Sequence, residues 1–324
     1  MKVIWINHKG KKRDITNMVK SVSWQGSVEQ IARQADINII HGVNDKNIQS
    51  EKVVLRNGDI IQLYEGKNIY EGQVLHTSKQ SEDGDIAYNT FDYATHLSNS
   101  TASKKYKNKK AETITRSLCK EFKIKIGKIA STRKPIKKAI YEDTSIYEMI
   151  MRSYTKAAKI THQKYIVRMT GKKLNVFKHG EKVHNFTIDD KKNITSITYE
   201  ESAESLVNQV VIYDDKGKKI GIVKNAPSIR QFGIFQGTYT KEKGVSSKRA
   251  ARALFTGIEK NITVDVLEGN IDCIAGNGVK VHDTATGLNA LFWIVNDTHT
   301  WENGTHTMSL ELSFKKVWDK QEDD

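Results

Sequence analysis

Trp301-Glu302-Asn303-Gly304-Thr305, followed by His306-Thr307-Met308-Ser309-Leu310-Glu311-Leu312-Ser313-Phe314, decides the fold class. From Thr307 onward polar and apolar side chains alternate, the period of a strand with one face buried and one face in water. Asn303-Gly304 readily takes positive φ, the turn chemistry that folds one strand back on another. Leu291 to Val295 supplies the apolar start of the strand running toward that turn. The end of the chain therefore reads as a β-hairpin. Upstream of it, Gly278 to Val281 and Ile262 to Val266 read as strands, and Val207 to Tyr213 pairs with Ile220 to Val223 across Asp214-Asp215-Lys216-Gly217-Lys218. The stretch 228–259 interrupts this second β region with a helix capped near Ser246 or Ser247, its face formed by Ala251, Leu254, Phe255 and Ile258.

The first hundred residues repeat the β pattern. Lys2 to Ile6, Val19 to Trp24, Ile31 to Ile40, Ile60 to Tyr64 and Ile69 to Leu75 are strand-like, and Arg56-Asn57-Gly58-Asp59 and Glu65-Gly66-Lys67 are turns. Short strands between such turns indicate an antiparallel barrel or sandwich. The period then switches. Ala111, Ile114, Leu118 and Phe122 fall at helical spacing with Asn108 as the expected cap. Ser145-x-x-Glu148 is a capping box for a second helix carrying Ile146, Met149, Ile150, Tyr154, Ala157 and Ala158. Tyr165 to Met169 and Lys173 to Phe177 flank a hairpin turn. The fold class is α+β and β-rich, with a first β domain over 1–104 and an α+β insertion over 105–192. A second β domain covers 193–227 and 260–318, with the helical excursion 228–259 inside it.

With 324 residues the chain is long enough for two or three cores. It holds no run of about 18 apolar residues to span a membrane, and its first residues look like a strand, not a secretory leader; synthesis in a cytoplasm is expected. The net charge of +14 is concentrated: between Ala102 and Lys138 stand fourteen Lys and Arg against Glu112 and Glu121. Such a segment can bind phosphate, face an acidic protein, or simply be solvated. Only Tyr106 and Phe122 interrupt it as aromatic stacking platforms, which weighs against single-strand binding.

Residues that could carry chemistry do not assemble into a motif. His299 and His306 flank Glu302, but the spacing is not that of a metalloprotease helix and Asn303-Gly304 forbids one; both are expected to be turn-flanking or surface histidines, as are His179 and His184. Cys119 and Cys273 read as separate buried thiols. Glycine-rich phosphate loops and a Gly-x-Ser-x-Gly elbow are missing. Glu200-Glu201 and Asp214-Asp215 sit where solvation explains them. No catalytic, metal or cofactor-binding residue is expected, and the acidic run Asp319 to Asp324 is expected to fray.

The order of these pieces resembles the XkdQ/YqbQ family of PBSX-like prophage elements, tail hub proteins related in fold to late control protein D. The resemblance covers nearly the whole chain. It rests on Asp14-Ile15-Thr16-Asn17-Met18-Val19 leading to Ser21-Val22-Ser23-Trp24, on Asn57-Gly58-Asp59 entering a strand, and on Phe91-Asp92-Tyr93. It continues through Ala111-Glu112-Thr113-Ile114 and Ser145-Ile146-Tyr147-Glu148-Met149-Ile150. The most specific block is Asp297-Thr298-His299-Thr300-Trp301-Glu302-Asn303-Gly304 followed by Met308-Ser309-Leu310. It implies two β-barrel "tube" domains per subunit and a non-catalytic structural protein in the baseplate of a contractile phage tail or a tailocin-like particle. It further implies a homotrimer in the particle, whose pseudo-sixfold ring adapts the sixfold tail tube to a threefold central spike; a monomer in isolation is compatible with this. Expected partners are the tail tube protein, the central spike and baseplate wedge proteins, with neither membrane nor nucleic acid among them. Lys104, Lys105, Lys107, Lys109 and Lys110 are the candidate contact with an acidic baseplate component. The competing readings are a tail-tip peptidoglycan hydrolase and a nucleic-acid-binding module using 102–138. Core positions are expected for Trp5, Trp24, Trp293 and Trp301.

Overall fold

The computed structural model describes residues 1–40, 53–79, 85–180 and 183–322. The N-terminal region runs through β1 (Lys2–Ile6), β2 (Lys12–Asp14), β3 (Val19–Ser27), β4 (Gln34–Ile40), β5 (Ile60–Glu65), β6 (Lys67–Lys79) and β7 (Asp85–Asp92) into the short helix α1 (Thr95–Ser98). The middle holds β8 (Thr101–Lys109), α2 (Ala111–Glu121), β9 (Lys125–Ile129), β10 (Ile136–Ser145), α3 (Ile146–Thr161), β11 (Tyr165–Thr170), β12 (Lys173–Lys178) and β13 (Val183–Asp189). Then come β14 (Ile194–Ser202), β15 (Gln209–Tyr213), β16 (Lys219–Lys224), α4 (Ala226–Phe232), β17 (Gln236–Thr240), α5 (Ser247–Ala253), β18 (Glu259–Val266), β19 (Gly278–Asp283), β20 (Leu288–Glu302) and β21 (Thr305–Ser313). The protein is β-rich, as the alternation predicts. Among the described residues no helix is long and apolar enough to cross a membrane.

Contacts divide the chain into two compact units, Met1–Ile197 with Thr263–Asp324, and Thr198–Ile262. In the larger unit the strands of both ends of the chain belong to one sheet, because β3 pairs antiparallel with β20. His299 stands opposite Trp24 and Trp301 opposite Val22. The last hairpin forms as its turn dictates: Asn303 and Gly304 take φ of 51° and 78°, and Glu302 pairs with Thr305. One face of this sheet buries Val3, Val22, Trp24, Ile37, Ile39, Leu63, Tyr88 and Trp301. Each such side chain contributes roughly 1.5–3 kcal/mol. Trp24 and Trp301 are thus core residues, as expected, whereas Trp5 and Trp293 are half-buried.

A second core in the same unit gathers α2 and α3 over their neighbouring strands, with Ile114, Leu118, Ile146, Met149, Ile150 and Tyr154 all 1% exposed or less. Its N-terminal cap is as read: the Ser145 hydroxyl accepts from the Glu148 amide at 3.1 Å. The first helix begins differently. Asn108 lies inside β8 at φ 52°, and Lys110 occupies the cap without a side-chain bond. The expected strand Ile31 to Ile40 starts only at Gln34, because Ile31 is drawn into the helical core and the Arg33 amide donates to the Asp92 carboxylate.

The smaller unit is a three-stranded sheet, β16-β15-β17, with β15 and β17 parallel, and α5 over Val210, Ile212 and Val223. Residues 228–259 contain most of α4, β17 and α5 instead of a single helix. The helix stops at Ala253, so Leu254 and Ile258, expected on its buried face, are 43% and 39% exposed while Ala251 is buried.

Candidate functional site

The basic segment forms a ribbon. Strand β8 pairs antiparallel with β10 in a two-stranded sheet, with Lys107 directly opposite Lys138 and Lys105 opposite Ile140. Period two sorts the lysines by face. Ala102, Lys104 and Tyr106 turn toward the helical core, and Lys105, Lys107 and Lys109 turn to solvent. Lys104 is bound, its Nζ donating to both oxygens of Glu121 at 2.8 and 2.9 Å. Lys105, Lys107, Lys109 and Lys110 make no ion pair with any described residue. Alternate residues on a strand stand about 6.6 Å apart, inside the Debye length of about 8 Å at physiological salt. Like charges directly across a ladder are destabilising as well. The ribbon therefore holds unrelieved positive charge on one face. The aromatic rings within the segment are spent elsewhere: Tyr106 packs edge-on to Tyr141 at 6.3 Å, and Phe122 packs on the helical core. Neither offers a platform for a base.

The histidines are placed otherwise than expected. His299 is fully buried, because β20 alternates and puts Asp297, His299 and Trp301 on the inner face. Its Nε2–H donates to the Cys273 carbonyl at 3.1 Å, so its Nδ1 accepts from His306 Nε2–H at 3.0 Å. His306 is half-buried, stacked on Trp301 at 4.1 Å. His179 is 3% exposed and donates from Nε2 to the Val317 carbonyl at 2.9 Å. Burial pushes the imidazoles of both His179 and His299 down to about 4, so both are neutral. The surface reading is corrected for His299 and His179; the side chain of His184 lies outside the described residues.

Beside His299 is a buried ion pair. Arg33 grips both oxygens of Asp297, with Nη1 3.0 Å from Oδ1, and its guanidinium lies 4.0 Å from the Trp24 ring centroid. The Ala275 amide also donates to Asp297, at 2.6 Å. A Cβ on Gly26 would lie 2.2 Å from the Arg33 guanidinium, so this position admits only glycine without displacing the pair. This polar knot fastens the start of β4 to β20. The sequence gives no local sign of it, since the partners are 264 residues apart.

The other candidate groups have structural occupations. Asp214 accepts the Lys216 and Lys218 amides of its turn, and Glu201 is held by Lys260 at 2.6 Å and by the Tyr199 hydroxyl. Burial raises the Cys119 and Cys273 thiols to about 11 and about 12, far from a nucleophile's range. The acidic end is docked at its start: the Tyr147 hydroxyl donates to Asp319 at 2.6 Å, and Lys159 pairs with Glu322 at 2.7 Å. Its last two residues lie outside the described ones. One grouping escaped the sequence reading altogether, Asp189 and Asp190 beside His282, brought together by the parallel β13–β19 ladder.

A family model described as YQBQ-like matches residues 22–313. The chain is 22% identical over 304 residues to the "Uncharacterized protein YqbQ" of Bacillus subtilis strain 168, covering 91% of this chain and 92% of that one. It is 21% identical over 309 residues to "Phage-like element PBSX protein XkdQ" of the same strain, covering 93% and 94%. Among solved structures, the 43 kDa tail protein of prophage MuSo2 from Shewanella oneidensis is similar with a TM-score of 0.72, at 13% identity, over 96% of this chain and 97% of that one. That likeness is one of fold. The family match, in contrast, runs from within β3 through the whole of β20, and the chain belongs to the YQBQ-like family.

Proposed function

We propose that this chain is a non-catalytic structural subunit of a phage-type tail, acting as the hub of its baseplate. The observation that carries the reading is the β3–β20 joint. Ser21 to Trp24 is the ladder partner of His299 to Glu302, inside the most specific block of the sequence, and the joint is locked by the Arg33–Asp297 pair. A phage-like-element protein and a prophage tail protein, similar over nine-tenths of their lengths, support it. In finer detail, residues 1–104 form one tube-lining module, the C-terminal β region from Thr263 forms the second, 105–192 form a peripheral insertion, and Thr198–Ile262 an excursion. Three subunits then supply six modules, a closed ring built from heterologous contacts that meets a sixfold tube on one side and a threefold spike on the other. The subunit is made in the host cytoplasm and functions in the contractile particle, against the tube protein, the spike and wedge proteins.

The outward face of the β8–β10 ribbon, with Lys105, Lys107, Lys109 and Lys110 beside the Glu121-bound Lys104, is the contact for an acidic component of the baseplate. A partner carboxylate there relieves the repulsion that the ribbon bears alone. Replacing Lys105, Lys107 and Lys109 together by Gln leaves the helical core untouched. At about 0.5 kcal/mol per exposed pair, assembly affinity falls roughly tenfold, with circular dichroism of the isolated chain unchanged and its thermal midpoint no lower than the parent's. Undiminished incorporation into particles sinks the assignment of this face.

A further inference from the structure

Away from the ribbon, three ligand-type side chains converge where β13 ends beside β19. Asp189 closes β13, Asp190 follows it, and His282 stands directly opposite Asp189 in the parallel ladder. His282 Nδ1 lies 3.7 Å from Asp189 Oδ2 and 3.6 Å from Asp190 Oδ1. All three donor atoms fall within 4.8 Å of one another. Separations of 3.6–3.7 Å are too long for hydrogen bonds. They are close to the spacing of about 3.3 Å between neighbouring ligands of a tetrahedral cation bound at about 2.0–2.1 Å.

The rest of the grouping is already organised. The Thr284 amide donates to Asp190 Oδ2 at 2.9 Å and the Lys191 amide to Asp189 Oδ1 at 3.0 Å. Each carboxylate is thereby oriented by backbone, leaving its other oxygen directed at the imidazole, the arrangement by which outer partners orient metal ligands. Independently of that cluster geometry, Asp190 Oδ1 and His282 Nδ1 are each closed off from solvent and have no hydrogen-bond partner. A cation between these two atoms gives both a partner. The His282 side chain is itself 40% exposed, so the grouping opens to solvent on one side.

We infer that Asp189, Asp190 and His282 form a binding site for a divalent cation of the zinc class, which clamps the edge strand β13 to β19. One imidazole and two carboxylates suit zinc or cobalt, whereas calcium and magnesium select all-oxygen shells. The site is separate from the ribbon and does not depend on the hub assignment.

The test uses the full chain, stripped with a chelator and titrated with Co²⁺ and with Zn²⁺. The expected result is one equivalent of Co²⁺ with visible ligand-field bands, displacement by Zn²⁺, and a higher thermal midpoint with Zn²⁺ bound. His282→Ala abolishes the bands, and Asp190→Asn, which keeps the oxygen that accepts from Thr284, weakens binding at least tenfold; both keep the parent circular dichroism. No uptake by the parent chain overturns the proposal. So does stoichiometric uptake that either variant leaves undiminished.

Discussion

His299 and His179 each hold a neutral imidazole where water cannot reach, and both donate to a backbone carbonyl. Asp297 does not recruit a proton onto His299, because Arg33 already neutralises it. Both folded values lie near 4, below the unfolded value of about 6.5. A depressed value means that the unfolded chain takes the proton first. The stabilisation is fully present above about pH 6.5 and is lost as pH falls through 4, on the order of 3 kcal/mol for each histidine. Urea midpoints are therefore expected to be flat above neutrality and to fall between these limits. His179→Gln, which can still donate to Val317, removes part of that slope; an unchanged slope contradicts the assignment. The sequence held the signal for His299. Asp297, His299 and Trp301 share one parity in a strand, and a tryptophan at that parity marks the inner face. What hid it was the polar look of Asp-Thr-His-Thr, since hydropathy alone sends such a run to the surface.

At the scale of elements, hairpins were legible and ladders between distant strands were not. Asn303-Gly304 names its own turn, and Ser145 with Glu148 names its own helix start, because the partners lie within a few residues. The β3–β20 ladder and its Arg33–Asp297 clamp close across 264 residues, and no local pattern specifies that pairing. The lysines of β8 were legible as a charged face, but their strand conformation was masked: only Ala102 and Tyr106 mark the inner side. The clamp gives a direct test of the joint. Arg33→Met or Asp297→Leu alone strands a buried charge and costs about 3–5 kcal/mol. The double variant recovers much of that loss, as an apolar pair of similar volume can, and denaturant titration of the four chains measures the coupling. Additive losses would mean that the two side chains do not act as a pair.

At the scale of the whole molecule, one sheet ties the N-terminal and C-terminal β regions together, while the helical core carries the basic ribbon on its own small sheet. The proposed hub role uses this division. The modules that close a ring must be held in fixed register, and a peripheral face must stay free for neighbours. Each end of the chain was recognisable as β from sequence; their union in one sheet was not, since it depends on pairing choices made only in three dimensions. The proposed hub converts sixfold to threefold symmetry, and copy number in the assembled particle tests that conversion most directly. Quantitative mass spectrometry of purified particles, calibrated against the tube protein, is predicted to find three copies of this chain per particle. Six copies, a number that grows with tail length, or absence from the particle would contradict the account.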